Sequence, residues 1–367
     1  MEFLMVSPDK LTVEKSLRSF IDPNVETDLV SAKSVKKIDI DNNDISVEIE
    51  LGYPAKSYLP ELTAKLEEQL KNLPGAGKIE VKASVNIVSH AVQKALKPLP
   101  GVKNIIAVAS GKGGVGKSTT SVNLALALVA EGAQVGILDA DIYGPSIPTM
   151  LGLSGQPVSE DGKTLQPKVS FGVQTISIGY LVDADQPMIW RGPMVTGALQ
   201  QLLTQTHWSN LDYLIIDLPP GTGDIQLTMA QQIPVSGAVI VTTPQDIALL
   251  DAQRGLGMFE KVSIPILGIV ENMSMHICSR CGHEEAIFGQ GGGLAMAAKN
   301  HVELLGSLPL DINIRQFADS GRPTLVADPE GRPAQIYKAI ARKMAAKLSL
   351  LSRDYSGRFP NIVIQNS

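Results

Sequence analysis

Two short groups of residues in this 367-residue chain have the types and spacing that chemistry requires. The first is Ser110-Gly111-Lys112-Gly113-Gly114-Val115-Gly116-Lys117-Ser118-Thr119, which fits the phosphate-loop pattern G-x-x-x-x-G-K-S/T from Gly111 to Ser118. Its glycines let backbone N–H groups turn inward around phosphate oxygens. The helix expected to start there adds unpaired N–H groups and a positive dipole end. Lys117 would lie against the β- and γ-phosphates, and Ser118 would bind Mg²⁺. The second group is Cys278-Ser279-Arg280-Cys281, a C-x-x-C spacing that brings two sulfurs within reach of one metal centre.

Elements of the right kind flank the first motif. The apolar run Ile105 to Ala109 reads as a buried strand, and Ser121 to Ala130 as a helix rich in Ala and Leu. Further strands are expected at Val135 to Leu138, Tyr213 to Leu218, Gly237 to Thr242 and Ile266 to Val270, with helical segments between them. That alternation predicts an α/β fold, a mostly parallel sheet covered by helices on both faces. Ligands bind such sheets at the carboxyl ends of the strands, where the motifs fall.

Two carboxylates sit at such ends. Asp139-Ala140-Asp141 closes one strand, and a carboxylate here, opposite the phosphate loop, is suited to orient the water that attacks a γ-phosphate. Leu214-Ile215-Ile216-Asp217 ends in a carboxylate suited to the Mg²⁺ shell. The glycines of Pro219-Pro220-Gly221-Thr222-Gly223-Asp224 suit a switch that senses nucleotide through backbone contacts.

Before the nucleotide-binding unit comes a small α+β unit. Val13 to Phe20 and Glu61 to Leu70 read as helices. Ser34 to Ile40 and Ile45 to Leu51 form a hairpin around Asp41-Asn42-Asn43-Asp44, and Ile79 to Val85 is a third strand. The expected organisation is a small domain over 1–96, a linker over 97–102, the nucleotide-binding domain over 103–352 and a tail over 353–367. Near the end, Ile336, Ile340, Met344 and Leu348 recur every four residues among Lys338, Arg342, Lys343 and Lys347. This helix is expected to pack on the sheet; the competing reading is a membrane-surface helix.

Bulk composition narrows the classes. Hydrophobic residues at 44% and charged residues at 19% describe an ordinary globular chain. A net charge of −5 provides no global drive toward nucleic acid or an anionic membrane. Met1-Glu2-Phe3-Leu4-Met5 lacks the basic start and apolar core of a signal peptide, so a cytoplasmic home is expected. Two cysteines cannot make a disulfide framework.

Taken together, the motifs are identified as those of a known class. Ser110 to Ser118 resembles the deviant Walker A loop of the MinD, ParA and nitrogenase iron-protein ATPases. Asp139 to Ser146, Asp217 to Asp224 and Glu271-Asn272-Met273-Ser274 narrow the likeness to the Mrp/ApbC branch of bacterial iron–sulfur cluster carriers, over nearly all of residues 100 to 345. Arg191-Gly192-Pro193 and Gly289-Gln290-Gly291-Gly292-Gly293 match runs of that branch without an assigned chemistry. Ile21-Asp22-Pro23 and Asp28-Leu29-Val30 resemble the MIP18-like domain often fused to it. Many stand-alone relatives of that domain carry a cysteine near the second helix, whereas Gly52-Tyr53-Pro54-Ala55-Lys56-Ser57 has none.

The resemblance implies an ATPase, slow in isolation, that carries iron–sulfur clusters. Gly111, Lys112, Gly113, Gly114, Val115, Gly116, Lys117, Ser118 and Thr119 would hold ATP, with Lys112 as the signature lysine reaching phosphate across a dimer interface. Asp141 would position water and Asp217 would serve as the Walker B carboxylate. Asn272 and the loop Pro309-Leu310-Asp311 would meet the adenine. Cys278 and Cys281 match the pair that binds a 4Fe–4S cluster bridged between two subunits. Implied partners are a second copy of the chain, apo iron–sulfur proteins as recipients and an assembly scaffold as donor, with neither nucleic acid nor stable membrane association. The bare residues leave other classes open. One is a zinc-clasped dimer, given His276 and His283 beside the cysteines, which would make the protein a positioning ATPase on DNA or membrane. Another is an electron-transfer reductase.

Overall fold

The structure is a computed structural model that describes residues 8–93, 96–181, 192–278 and 280–353. Arg191, Ser279 and the tail from residue 354 onward, all considered above, lie outside the described residues.

The N-terminal unit begins with α1 (Lys10–Ser19), capped by Asp9, whose carboxylate accepts from the Thr12 N–H at 2.8 Å. Two short strands, β1 (Ile21–Asp22) and β2 (Thr27–Asp28), lead to β3 (Val35–Asp41) and β4 (Asp44–Leu51). The turn between the last two uses Asn42 at φ +55°, a conformation Asn tolerates. α2 (Leu59–Lys71) follows with Pro60 in its first turn, and then β5 (Ile79–Val85) pairs parallel to β4. Leu62, Leu66 and Leu70 recur every fourth residue along α2 and are fully buried on this small sheet, each worth roughly 2 kcal/mol.

The second unit runs β6 (Val102–Ala109), α3 (Lys117–Ala130), β7 (Val135–Asp139), α4 (Ile147–Met150), β8 (Lys168–Ser170) and β9 (Val173–Ser177). It continues through α5 (Gly192–Gln205), β10 (Leu211–Asp217), α6 (Asp224–Gln232), β11 (Gly237–Thr242), α7 (Asp246–Lys261) and β12 (Ile266–Glu271). A small hairpin of β13 (His276–Ile277) and β14 (Glu284–Glu285) precedes α8 (Gly292–Lys299), β15 (Leu304–Ser307), α9 (Ile312–Asp319), α10 (Thr324–Ala327) and α11 (Arg332–Ser349).

Eight strands form one sheet in the order β15-β12-β11-β6-β10-β7-β9-β8, parallel except for β8 against β9. The five strands expected from sequence form its contiguous centre. The flanking strands, β15 on one side and β9 with β8 at the edge on the other, are not among those expected. Each is five residues or fewer, too short for alternation to stand out.

α3 is buried along most of its length because the sheet covers one side and α11 the other. In α11, Ile340, Met344 and Leu348 are buried, so the helix packs on the fold as expected. Its basic face meets acids: Arg342 reaches Glu131 at 2.7 Å, Lys343 reaches Glu26 at 3.7 Å, and Lys347 pairs with Glu303. Glu131, at the end of α3, also accepts from Ser57 N–H at 2.9 Å and from Ser57 Oγ at 2.5 Å. The loop Gly52 to Ser57 therefore docks the small unit onto the far end of the phosphate-loop helix. No helix among the described residues is long and apolar enough to cross a membrane.

Candidate nucleotide site and thiol pair

β6 delivers Ser110 and the glycine loop to the carboxyl edge of the sheet, and α3 starts at Lys117, inside the motif. The loop needs glycine for two separate reasons. A side chain on Gly111 would stand 2.2 Å from the carbonyl carbon of Asp251 in α7. Gly116 sits at φ +81°, and a Cβ there would lie 2.2 Å from Asn272 Nδ2. Around the loop lies a cavity of about 220 Å³ lined by Lys112, Gly113, Gly114, Gly116, Lys117, Ser118 and Thr119 together with Asp141 and Pro220.

β10 carries Asp217 to the same edge, beside β6 and β7. Its fully buried carboxylate gathers three partners. Lys117 Nζ lies 2.8 Å from Oδ2, Ser118 Oγ donates to Oδ2 at 2.5 Å, and Ser121 Oγ donates to Oδ1 at 2.7 Å. Ser118 and Asp217 thus present adjacent oxygens, the donor set that a hard divalent cation prefers. Asp141 stands 4.0 Å from Lys117 Nζ. Burial raises Asp141 above the usual carboxylate range, the Lys117 charge opposes that rise, and Asp217 adds to it.

Two supporting residues escape a reading of motifs. Ser121 lies one helical turn after Lys117, the only local signal that it faces Asp217. Asp139, directly opposite Ser177 in the β7–β9 register, accepts from Ser177 Oγ at 2.9 Å and from the Asp141 and Ile147 N–H groups at 3.2 and 3.3 Å. It ties both ends of the loop that carries Asp141. Full burial, and then the nearby Asp217 charge, push Asp139 up to about 7, against the pull of Ser177 and Lys117.

Asn272 and Pro309 lie outside that cavity lining. Asn272, at the end of β12, donates Nδ2–H to the Val115 carbonyl at 2.9 Å, behind the phosphate loop. Pro309 is buried in the turn after β15.

Cys278 and Cys281 occupy the tip of the β13–β14 hairpin. Cys278 N–H donates to His283 O, and Gly282 N–H to Cys278 O, both at 2.9 Å. Cys281 is exposed and Cys278 partly so. Backbone N–H groups of Arg280 and Cys281 aim at the Cys278 sulfur and hold its thiol below the usual range, which favours the thiolate a metal needs. His276 turns away, with Nδ1 at 3.2 Å from Leu310 O. Among the described residues no three His, Cys, Asp or Glu converge closely enough to hold a metal. The pair therefore offers two ligands, and one chain does not complete a site.

A parallel sheet with a glycine loop at its carboxyl edge, a buried lysine–aspartate pair beside it and a magnesium-type donor set defines a phosphate-loop nucleotide-binding protein. Known proteins carry this further. The family described as NUBPL iron-transfer P-loop NTPase matches residues 101–345, and one described as iron–sulfur cluster assembly protein matches residues 10–83. This chain belongs to the NUBPL iron-transfer P-loop NTPase family. It is 53% identical over 345 residues to a protein of Escherichia coli K12 named iron-sulfur cluster carrier protein, covering 93% of this chain and 94% of that one. It is 48% identical over 264 residues to the mouse iron-sulfur cluster transfer protein NUBPL, covering 71% and 82%. A nucleotide-binding protein of Archaeoglobus fulgidus, solved with ADP, superposes with a TM-score of 0.54 at 38% identity, covering 63% and 90%. The cell-division ATPase MinD of Pyrococcus furiosus shares the fold, with a TM-score of 0.50 at 22% identity, covering 65% and 97%.

Proposed function

We propose that this protein binds and hydrolyses ATP and uses it to carry a 4Fe–4S cluster, as cargo, to apo iron–sulfur proteins in the cytoplasm, taking it from an assembly scaffold. The observation that carries the reading is the C-x-x-C tip, with Cys281 exposed, the Cys278 thiol held below its usual range by backbone N–H groups, and no third ligand close by among the described residues. An isologous dimer repeats the same patch, so two copies would supply the four sulfurs a cubane cluster takes. A cluster held at such a tip stays open to attack by a recipient's thiols, which suits transfer over storage. Neither nucleic acid nor a membrane is a partner in this reading.

Hydrolysis rests on the chain's own groups. Lys117 and Lys112 meet charge developing on the phosphates, and backbone N–H groups of the loop add to them. Asp141 orients the attacking water as its base, and the raised affinity of that carboxyl for a proton suits the role. Ser118 and Asp217 would hold Mg²⁺, which neutralises phosphate charge when bound. In this reading the basal rate is slow and rises when a partner docks. The likeness of the neighbouring iron-transfer proteins supports the cargo assignment, and their names apply to those proteins alone.

The test is anaerobic reconstitution with iron and sulfide, read by iron content, Mössbauer spectra and particle mass, on the native chain and on Cys278→Ala/Cys281→Ala. About one cubane per dimer, lost in the variant, supports the reading. Tight zinc with no cluster overturns it and returns the protein to a zinc-clasped ATPase.

A further inference from the structure

The phosphate loop and the thiol pair are joined by one short stretch of backbone, residues 272–278, braced by hydrogen bonds along its length, and Asn272 is where it meets the loop. Its Nδ2–H donates to Val115 O at 2.9 Å, and the side chain is 8% exposed, so water competes little for that bond. The accepting carbonyl belongs to the peptide that joins Val115 to Gly116, and Gly116 lines the phosphate cavity. In a planar trans peptide the C=O and N–H point in opposite directions. One rigid plane therefore faces Asn272 with its oxygen and the opposite side of the loop with its N–H. A phosphate that fixes the N–H fixes the oxygen as well.

Beyond Asn272 the chain has no slack. Met273 follows at φ +57°, a left-handed position unusual for an unbranched side chain and suited to a bend. Ser274 then donates to Leu308 O through both N–H, at 2.9 Å, and Oγ, at 3.0 Å. Leu310 N–H donates to Met275 O at 2.9 Å, and His276 Nδ1 meets Leu310 O at 3.2 Å. Cys278 is two residues further. The hairpin that carries the thiols has only two paired residues on each side, so its placement depends on this brace.

We infer that Asn272 is a positioning residue that couples occupancy of the phosphate loop to the placement of the Cys278–Cys281 tip. Nucleotide re-aims the Val115–Gly116 peptide, Asn272 follows its acceptor, and the bend at Met273 turns that shift into a movement of the hairpin. The inference rests on the cargo reading only for its purpose; the coupling itself concerns the two thiols.

The test uses the full-length, metal-free, reduced chain, in which Cys278 and Cys281 are the only cysteines. Their alkylation rate by iodoacetamide is measured without nucleotide and with saturating Mg²⁺ and a non-hydrolysable ATP analogue. In the native chain the two rates should differ by about 5-fold or more, the lower end of ordinary coupling between sites. Asn272→Asp keeps the shape but cannot donate, and it should bring the ratio to about one. His276→Ala removes the one side-chain bond of the brace nearest the thiols and should shrink the ratio while leaving analogue binding intact. A merely structural Asn272 would shift both rates together and keep the ratio. A native ratio of one, or a native-like ratio in both variants, overturns the inference. Because no cluster is present, failed reconstitution would sink the cargo reading and leave this result standing.

Discussion

Lys117 Nζ and Asp217 Oδ2 lie 2.8 Å apart, with Lys117 6% exposed and Asp217 fully buried. The pair sits where two further carboxylates, Asp139 and Asp141, feel the same ammonium. Lys117 is thus the counter-charge of the site as well as the phosphate ligand of the proposed function. Lys117→Ala should abolish hydrolysis and block cluster transfer, while cluster binding at Cys278 and Cys281 is largely spared. It should also cost about 3 to 5 kcal/mol at neutral pH, the usual cost of leaving a buried charge unpaired. Phosphate release, iron content and chemical denaturation check the three parts. Transfer at the native rate would refute the nucleotide coupling.

The titration of Asp139 gives a second prediction. Its folded-state value, about 7, lies above the ordinary 3.8. Between those values the folded chain keeps a proton that the unfolded chain has released. The contribution to stability is therefore greatest below about pH 4 and falls away as pH rises toward 7. Asp139→Asn removes the titrating group, so stability should change less between pH 5 and pH 7.5 than in the native chain. If the unfolding free energy, measured by urea denaturation, changes equally between the two pH values in the native chain and the variant, Asp139 ionises normally.

How much of this could be read beforehand depends on sequence separation. The phosphate loop, Asp217 and the cysteine pair are legible because each is a local run whose meaning lies in its own spacing. The partners that complete them are distant. Ser121 and Asp217 are 96 positions apart, and Asp139 and Ser177 are 38 apart. Ser177 also ends a strand too short to stand out. No motif marks Glu131, just past the expected end of its helix, and only the fold brings Ser57 and Arg342 to it. The central strands announce themselves because they are buried on both faces and apolar throughout, whereas the edge strand β8 is partly exposed and carries no such run.

The two left-handed glycines of the loop separate backbone strain from crowding. Gly114 and Gly116 share φ +81°, but a Cβ on Gly114 meets nothing within 4 Å, whereas one on Gly116 strikes Asn272. Gly114→Ala should therefore cost only the strain, about 1 kcal/mol. Gly116→Ala adds the displacement of Asn272 and should weaken nucleotide binding by at least about tenfold, or 1.4 kcal/mol. Titration with a fluorescent ATP analogue distinguishes them, and equal affinities would remove Asn272 from the account of this loop.

The last prediction concerns the junction of the two units. Glu131 accepts from Ser57 N–H, Ser57 Oγ and Arg342, and its side chain is fully buried. Glu131→Ala leaves the Ser57 N–H without its acceptor and the Arg342 guanidinium, 18% exposed, without its counter-charge. A loss of about 3 kcal/mol is expected, because each orphaned group keeps its desolvation cost. The segment joining the units should be cut faster by protease. Nucleotide affinity should hold, since the 14-residue α3 places the phosphate loop about 20 Å away. Adding Arg342→Met removes the stranded charge while keeping its apolar stem, so the double variant should recover part of the loss. If it is no more stable than Glu131→Ala alone, the buried charge is not what holds the small unit to the end of the phosphate-loop helix.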